Sequence, residues 1–389
     1  MRVCPPGDWL TIDLQGRTLM PGLVDAHAHV LAKAPAREEG VEPLLPGTGA
    51  HVVAAHLAEA LRRGVTTIRD VGSFGDVVVE ARQAMRLGAF RGPRLLTCGR
   101  IVSATSPGGR FFDGMYREAD GCDDVRRAVR EQLRRGADFV KVMTTGARSV
   151  ELEDPDPAQL TTAEVTTLTD EAHRLGLRVA AHAEGLAGTE IAIEAGIDTI
   201  EHGMYLNQRP DLLERMARQG QVLVPTLSCF YGVAGIDGRS GHPASTWSPL
   251  LVELAQHNLE QADRTLAAAR AAGVKIALGH DWNPFYDSAV ELERMVHHGM
   301  PAAEALVAAP ATGSPSWSTS QTCSRRRSRP GSESGSPSTT SRSASRPGAT
   351  IPSSSARPSA AAPVAVAATS ASAAGMPWWT IRSSSTALS

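Results

Sequence analysis

The chain has 389 residues, 42% of them hydrophobic, and a formal net charge of −2. That length accommodates one barrel of ~250 residues with an accessory piece beside it. The near-neutral balance argues against a nucleic-acid partner, and no apolar run reaches the ~18 residues of a membrane span, so a small-molecule substrate is expected, with self-association left open.

The N-terminal MRVCPPGDWL lacks the long apolar stretch of a secretory signal. Five scattered cysteines (Cys4, Cys98, Cys122, Cys229 and Cys323) form no CxxC pair. Reduced thiols in a cytoplasmic protein are the expectation.

In chain order, eight short apolar segments read as strands. They are TLMPGLVDAHA, GVTTIRDV, PRLLTCG, DFVKVMTT, LRVAAHAE, IDTIEHG, QVLVPTL and VKIALGHD. Amphipathic stretches lie between most of them, among them HVVAAHLAEALRRG, DDVRRAVREQLRRG and TAEVTTLTDEAHRLG. Their apolar residues recur three and four apart, and each ends in a glycine suited to a helix C-cap. Eight strands alternating with helices predict an α/β fold, a (β/α)8 TIM-like barrel over residues 20–313. No GxGxxG follows the first strand, which disfavours an open doubly wound sheet.

The composition changes at the C-terminus. Residues 314–389 hold eight arginines, no lysine and one acid, Glu333, and are rich in serine, proline and alanine. They read as a low-complexity, disordered tail.

Chemistry-bearing residues sit at the ends of the predicted strands. His27 and His29 lie two apart in DAHAH, so on a strand both face one side and can share a metal ion. Lys141 lies inside the apolar DFVKVM. A buried lysine is costly unless neutral, paired or modified. A neutral amine can take up carbon dioxide to form a carbamate, whose two oxygens suit a bridge between metals ~3.5–4 Å apart. The alternative is a lysine that snorkels to solvent. His182 and His202 close the next two predicted strands, and Asp281 closes the last. Barrel sites form where the C-terminal ends of strands converge, so these six residues predict one metal site.

The order HxH, Lys, His, His, Asp resembles the metal signature of the amidohydrolase superfamily. GRTLMPGLVDAHAH, GVTTIRDVG, GADFVKVMTTG, AAHAEGLAGTEIAIEAGIDTIEHG and LVPTL resemble its imidazolonepropionase-related branch, which includes zinc-dependent Xaa-Pro dipeptidases and carboxypeptidases. The likeness runs from about Leu14 to about Ala311. It implies two divalent metal ions, zinc by analogy. His27, His29 and Asp281 would hold the first and His182 and His202 the second, with carboxylated Lys141 between them. The implied reaction is hydrolysis of a C–N bond in a dipeptide, N-acyl amino acid or cyclic amide, with Asp281 shuttling the proton. The alternatives are a binuclear ester, lactone or phosphotriester hydrolase, or an inactive truncated relative.

The resemblance also implies that Tyr231 donates a hydrogen bond to the substrate carbonyl; loop packing is the other reading. His280 replaces the relatives' threonine and, by alternation, points away from the metal face. His51, His56, His173, His242, His257, His297 and His298 are expected to be solvated. Gly108, Gly109 and Arg110 stand where relatives carry a Gly-Gly-His-Gly turn, which puts the peptidase substrate class in question. Only 26 residues precede His27, so residues 1–19 are expected to be a remnant of the relatives' small β-sandwich. Instead of the relatives' closing strand, the chain runs into its Arg/Ser/Pro tail, as a shift of reading frame after about Ala311 would produce.

Overall fold

The computed structural model describes residues 14–15, 19–31, 46–147, 153–236, 247–281 and 287–309. The expected 314–389 tail, and the expected remnant over 1–19 apart from residues 14, 15 and 19, lie outside them, as does His242.

Ten strands are present among the described residues: β1 Leu23–Ala28, β2 Val65–Asp70, β3 Arg94–Thr97, β4 Ile101–Ser103, β5 Tyr116–Glu118, β6 Phe139–Met143, β7 Arg178–Ala183, β8 Thr199–His202, β9 Val222–Val224 and β10 Lys275–Ile276. They form two parallel sheets, β1-β2-β3 and β10-β9-β8-β7-β6-β4-β5. Backbone hydrogen bonds join the sheets at both seams. Asp138 donates to the Thr97 carbonyl at 2.8 Å, Ala26 to Leu278 at 2.8 Å and Asp281 to His27 at 2.8 Å. β3 and β4 occupy one strand position, interrupted at Gly99, whose φ of +70° no side chain adopts readily. Eight strand positions therefore succeed one another around the fold, consistent with a TIM-like barrel. The extra strand β5 was not among the sequence expectations; its three residues are too few to carry a period.

The three helices read from the sequence form at Pro46–Arg62, Cys122–Arg134 and Thr162–Arg174. Gly64, Gly136 and Gly176 follow them at φ +85°, +81° and +77°, the left-handed stop that favours glycine. Thr161 and Glu164 close a reciprocal capping box on the third. No helix among the described residues is long and apolar enough to cross a membrane.

The pleat of β6 explains the placement of Lys141. All five residues are buried, as in strands covered on both faces. Val140 and Val142 join the core between sheet and helices. Lys141 alternates with them and is 1% exposed. β7 repeats the pattern, with Val179, Ala181 and Ala183 in that core and His182 on the opposite side.

Candidate metal centre

His27, His29, Lys141, His182, His202 and Asp281 line one cavity. Within it, His27, His29 and Asp281 form one potential metal-ligand group, and His182, Glu184 and His202 a second.

Each imidazole has one nitrogen engaged by the protein. His27 Nδ1 lies 2.7 Å from Glu201 Oε2. His29 Nδ1 donates to the Gly72 carbonyl. His182 Nε2 donates to the Gly146 carbonyl at 3.1 Å. His202 Nδ1 meets the Thr226 hydroxyl at 2.7 Å. These partners leave the opposite nitrogens to the cluster. His27 Nε2 and His29 Nε2 lie 3.0 and 3.1 Å from Asp281 Oδ1, and His202 Nε2 lies 2.9 Å from His182 Nδ1. Four lone-pair nitrogens and a carboxylate at such spacings suit divalent cations.

Lys141 lies in the same cavity. Its Nζ has no hydrogen-bond partner among the described residues. Burial pulls its pKa down to about 8, although the Glu201 and Asp281 carboxylates work to keep the ammonium. A neutral amine is the form that carbon dioxide modifies. The donor set therefore fits divalent metal ions.

The charges are uneven. Burial alone would raise the Asp281 carboxyl, but His27 and His29 outweigh it and hold it well below its ordinary value. Burial lowers His29, yet Asp281 more than compensates and its pKa is raised. His202 is driven well below its ordinary value by burial and by its neighbour His182. It is thus neutral, as a ligand must be.

Backbone strain gathers at the same strand ends. His202, Thr226 and Asp281 adopt left-handed φ of +69°, +49° and +59°, a conformation rare outside glycine and frequent at functional sites. The turn at His202 has a clear consequence. Glu201 and His202 are adjacent, and strict alternation would send them to opposite faces. Instead Glu201 reaches His27 while His202 reaches His182.

Three supporting groups were missed from the sequence. Glu201 is fully buried and held by Arg69, whose Nη2 lies 2.7 Å from Oε1. Arg69 also donates to the Ala26 carbonyl and, at 2.9 Å, to Thr199 Oγ1. Glu184 Oε1 lies 3.3 Å from His182 Nε2. IRD, IEH and HAE carried signals, a charge inside an apolar strand or two residues beyond a ligand, but each is common on solvated strands.

Tyr231 is not brought into this cavity. It lies on the helix Leu227–Ala234, with its hydroxyl 3.0 Å from His298 Nε2 and the Arg294 guanidinium 4.0 Å from its ring centre. Its neighbours Cys229 and Phe230 line the cavity instead. His298, expected to be solvated, is buried between Tyr231 and Asp263. His280 does turn away from the cluster, its Nδ1 2.5 Å from Asp25 Oδ2. In the Pro107–Arg110 turn, a Cβ on Gly108 would fall 2.2 Å from the Glu153 carboxylate and one on Gly109 2.1 Å from Glu118 Oε1. Packing against the buried Glu153 therefore requires Gly108, whereas the exposed Glu118 side chain can swing away from a Cβ at Gly109, and Arg110 is exposed.

This arrangement has counterparts among known proteins. Ochratoxinase from Aspergillus niger is 32% identical over 318 residues, covering 75% of this chain and 64% of its own length. This chain thus spans just under two thirds of that relative. The ochratoxinase crystal structure superposes with a TM-score of 0.63 at 30% identity, over 77% of this chain and 72% of the other. A Xaa-Pro dipeptidase with bound methionine gives 0.66 at 27% identity, over 79% and 78%. Imidazolonepropionase from Paracoccus denitrificans is 28% identical over 310 residues, covering 70% of this chain and 66% of its own. Residues 18–314 match the Amidohydrolase family model, and with the histidine, lysine and aspartate positions converging as described, the chain belongs to the amidohydrolase family.

Proposed function

We propose that this chain is a metal-dependent hydrolase of C–N bonds, acting on a dipeptide, an N-acyl amino acid or a cyclic amide. The observation that carries the reading is the set of four imidazoles, each pinned through one nitrogen and turned inward to the cluster through the other, with Asp281 and an unpartnered buried lysine. His27, His29 and Asp281 would hold one divalent ion, His182 and His202 a second, with zinc suited to this nitrogen-rich set. Lys141 would lie between them as a carbamate, formed when its neutral Nζ attacks carbon dioxide and releases a proton. Bound divalent ions supply Lewis acidity, which brings the pKa of water toward neutrality and polarises a carbonyl.

The chain's own residues supply the rest. The Asp281 carboxylate, held ionised by His27 and His29, accepts a proton from the attacking water and returns it to the departing nitrogen. An amine leaves poorly without that proton.

The test is metal stoichiometry together with a turnover screen of dipeptides, N-acyl amino acids and cyclic amides. About two equivalents of metal with chelator-sensitive amide turnover is the expected result. Turnover that survives complete metal removal would overturn the reading.

A further inference from the structure

Around the metal centre the cavity wall is largely hydrocarbon. Phe112 and Tyr116 stack with ring centres 4.6 Å apart and planes at 20°, and both line the cavity with Met143 of β6. Phe230, also in the lining, presents its ring at 83° to His202, with centres 6.0 Å apart, and Val233 and Leu251 add to the wall. A polar substituent pressed between such walls loses its water without gaining partners. Aromatic walls in stacked and edge-on poses accept another flat ring well. Outside the proposed metal-binding residues, the charged group lining the described cavity is Glu184, close to His182.

We propose that the cavity selects amides bearing a neutral, flat aromatic group, seated between the Phe112–Tyr116 stack and Phe230. This inference rests on the hydrolase reading for turnover but not for binding. The ring belongs to the acyl part or to the amine part of the substrate, and two probes separate these sources. N-benzoylglycinamide carries the ring on the acyl side and acetanilide on the amine side, with N-acetylglycinamide as the ring-free reference.

The experiment measures kcat/KM for the three amides on the full chain with metals bound. In parallel, saturation-transfer NMR compares benzamide with acetamide as probes of binding alone. One aromatic amide is expected to exceed the reference by about 10- to 100-fold, the selectivity that burying one aromatic side chain's worth of area supplies. Phe112→Ala is expected to lower that ratio about tenfold, whereas Phe112→Tyr retains it. The ratio is taken within each variant, so partial loss of folded protein cancels. Equal rates for ring-bearing and ring-free amides, with no preferential benzamide signal, would overturn the aromatic site and leave the hydrolase reading intact. Benzamide binding that Phe112→Ala removes, without turnover of any amide, would support the site and overturn the hydrolase reading.

Discussion

His27 Nδ1 and Glu201 Oε2 stand 2.7 Å apart in the protein interior, joining β1 to β8. Burial would raise the Glu201 carboxyl, but Arg69 and His27 hold it well below the usual carboxylate range. The anion fixes the Nδ1–H tautomer of His27 and turns Nε2 toward Asp281. Glu201→Gln keeps the shape and removes the charge. We expect metal affinity at the first site to fall about 10- to 100-fold, read by competition with a chromogenic chelator. An unchanged affinity would show that His27 needs no anionic partner.

Lys141→Ala tests the bridge. The alanine variant is expected to lose activity and part of its metal, and to regain some turnover when short carboxylates such as acetate are supplied. Metal content by plasma emission and turnover with and without acetate are the measurements. Two equivalents of metal with full activity would contradict any role for a carbamate at this position.

Periodicity exposed β1, β2, β6, β7 and β8 because each carries a run of apolar residues, and the helix stops were legible in glycines 64, 136 and 176. His27 and His29 obey the two-residue repeat of a strand. Glu201 and His202 do not, since the left-handed φ at His202 overrides alternation and brings neighbours to bear on the same cluster. That turn is a tertiary property with no local signature. Arg69 was hidden for a similar reason. Its guanidinium is buried against a carboxylate far off in the sequence, Glu201, 132 residues away. Tyr231 was read through resemblance, and the helix that carries it points its hydroxyl at His298.

Asp281→Asn separates ligand from proton carrier. An amide oxygen can still coordinate, but it does not accept and return a proton. We expect kcat to drop by at least ~100-fold, while metal content falls much less. The pH–rate profile should lose its acidic limb. A variant with an unaltered profile would assign the proton transfer elsewhere.

Glu291 supports the helix carrying Cys229 and Phe230. Its carboxylate accepts the N–H groups of Leu227 and Ser228 at 2.8 and 2.7 Å and the Ser228 hydroxyl at 2.7 Å. These are donors that the first turn of a helix cannot satisfy internally. Burial nevertheless dominates those hydrogen bonds and pushes the Glu291 pKa from 4.5 up to about 7. Between those two values the folded chain holds more protons at this site than the unfolded chain. Stability therefore falls as pH rises from about 4.5 through 7, by an amount on the order of 3 kcal/mol for this group. Glu291→Gln removes the titration while keeping an acceptor for the helix N-terminus. Urea unfolding at pH 5 and pH 8 is the measurement. The parent chain should lose more stability over this interval than the glutamine variant does, whatever other groups titrate in both. Equal losses in the two proteins would mean that the hydrogen bonds, rather than burial, set the charge of Glu291.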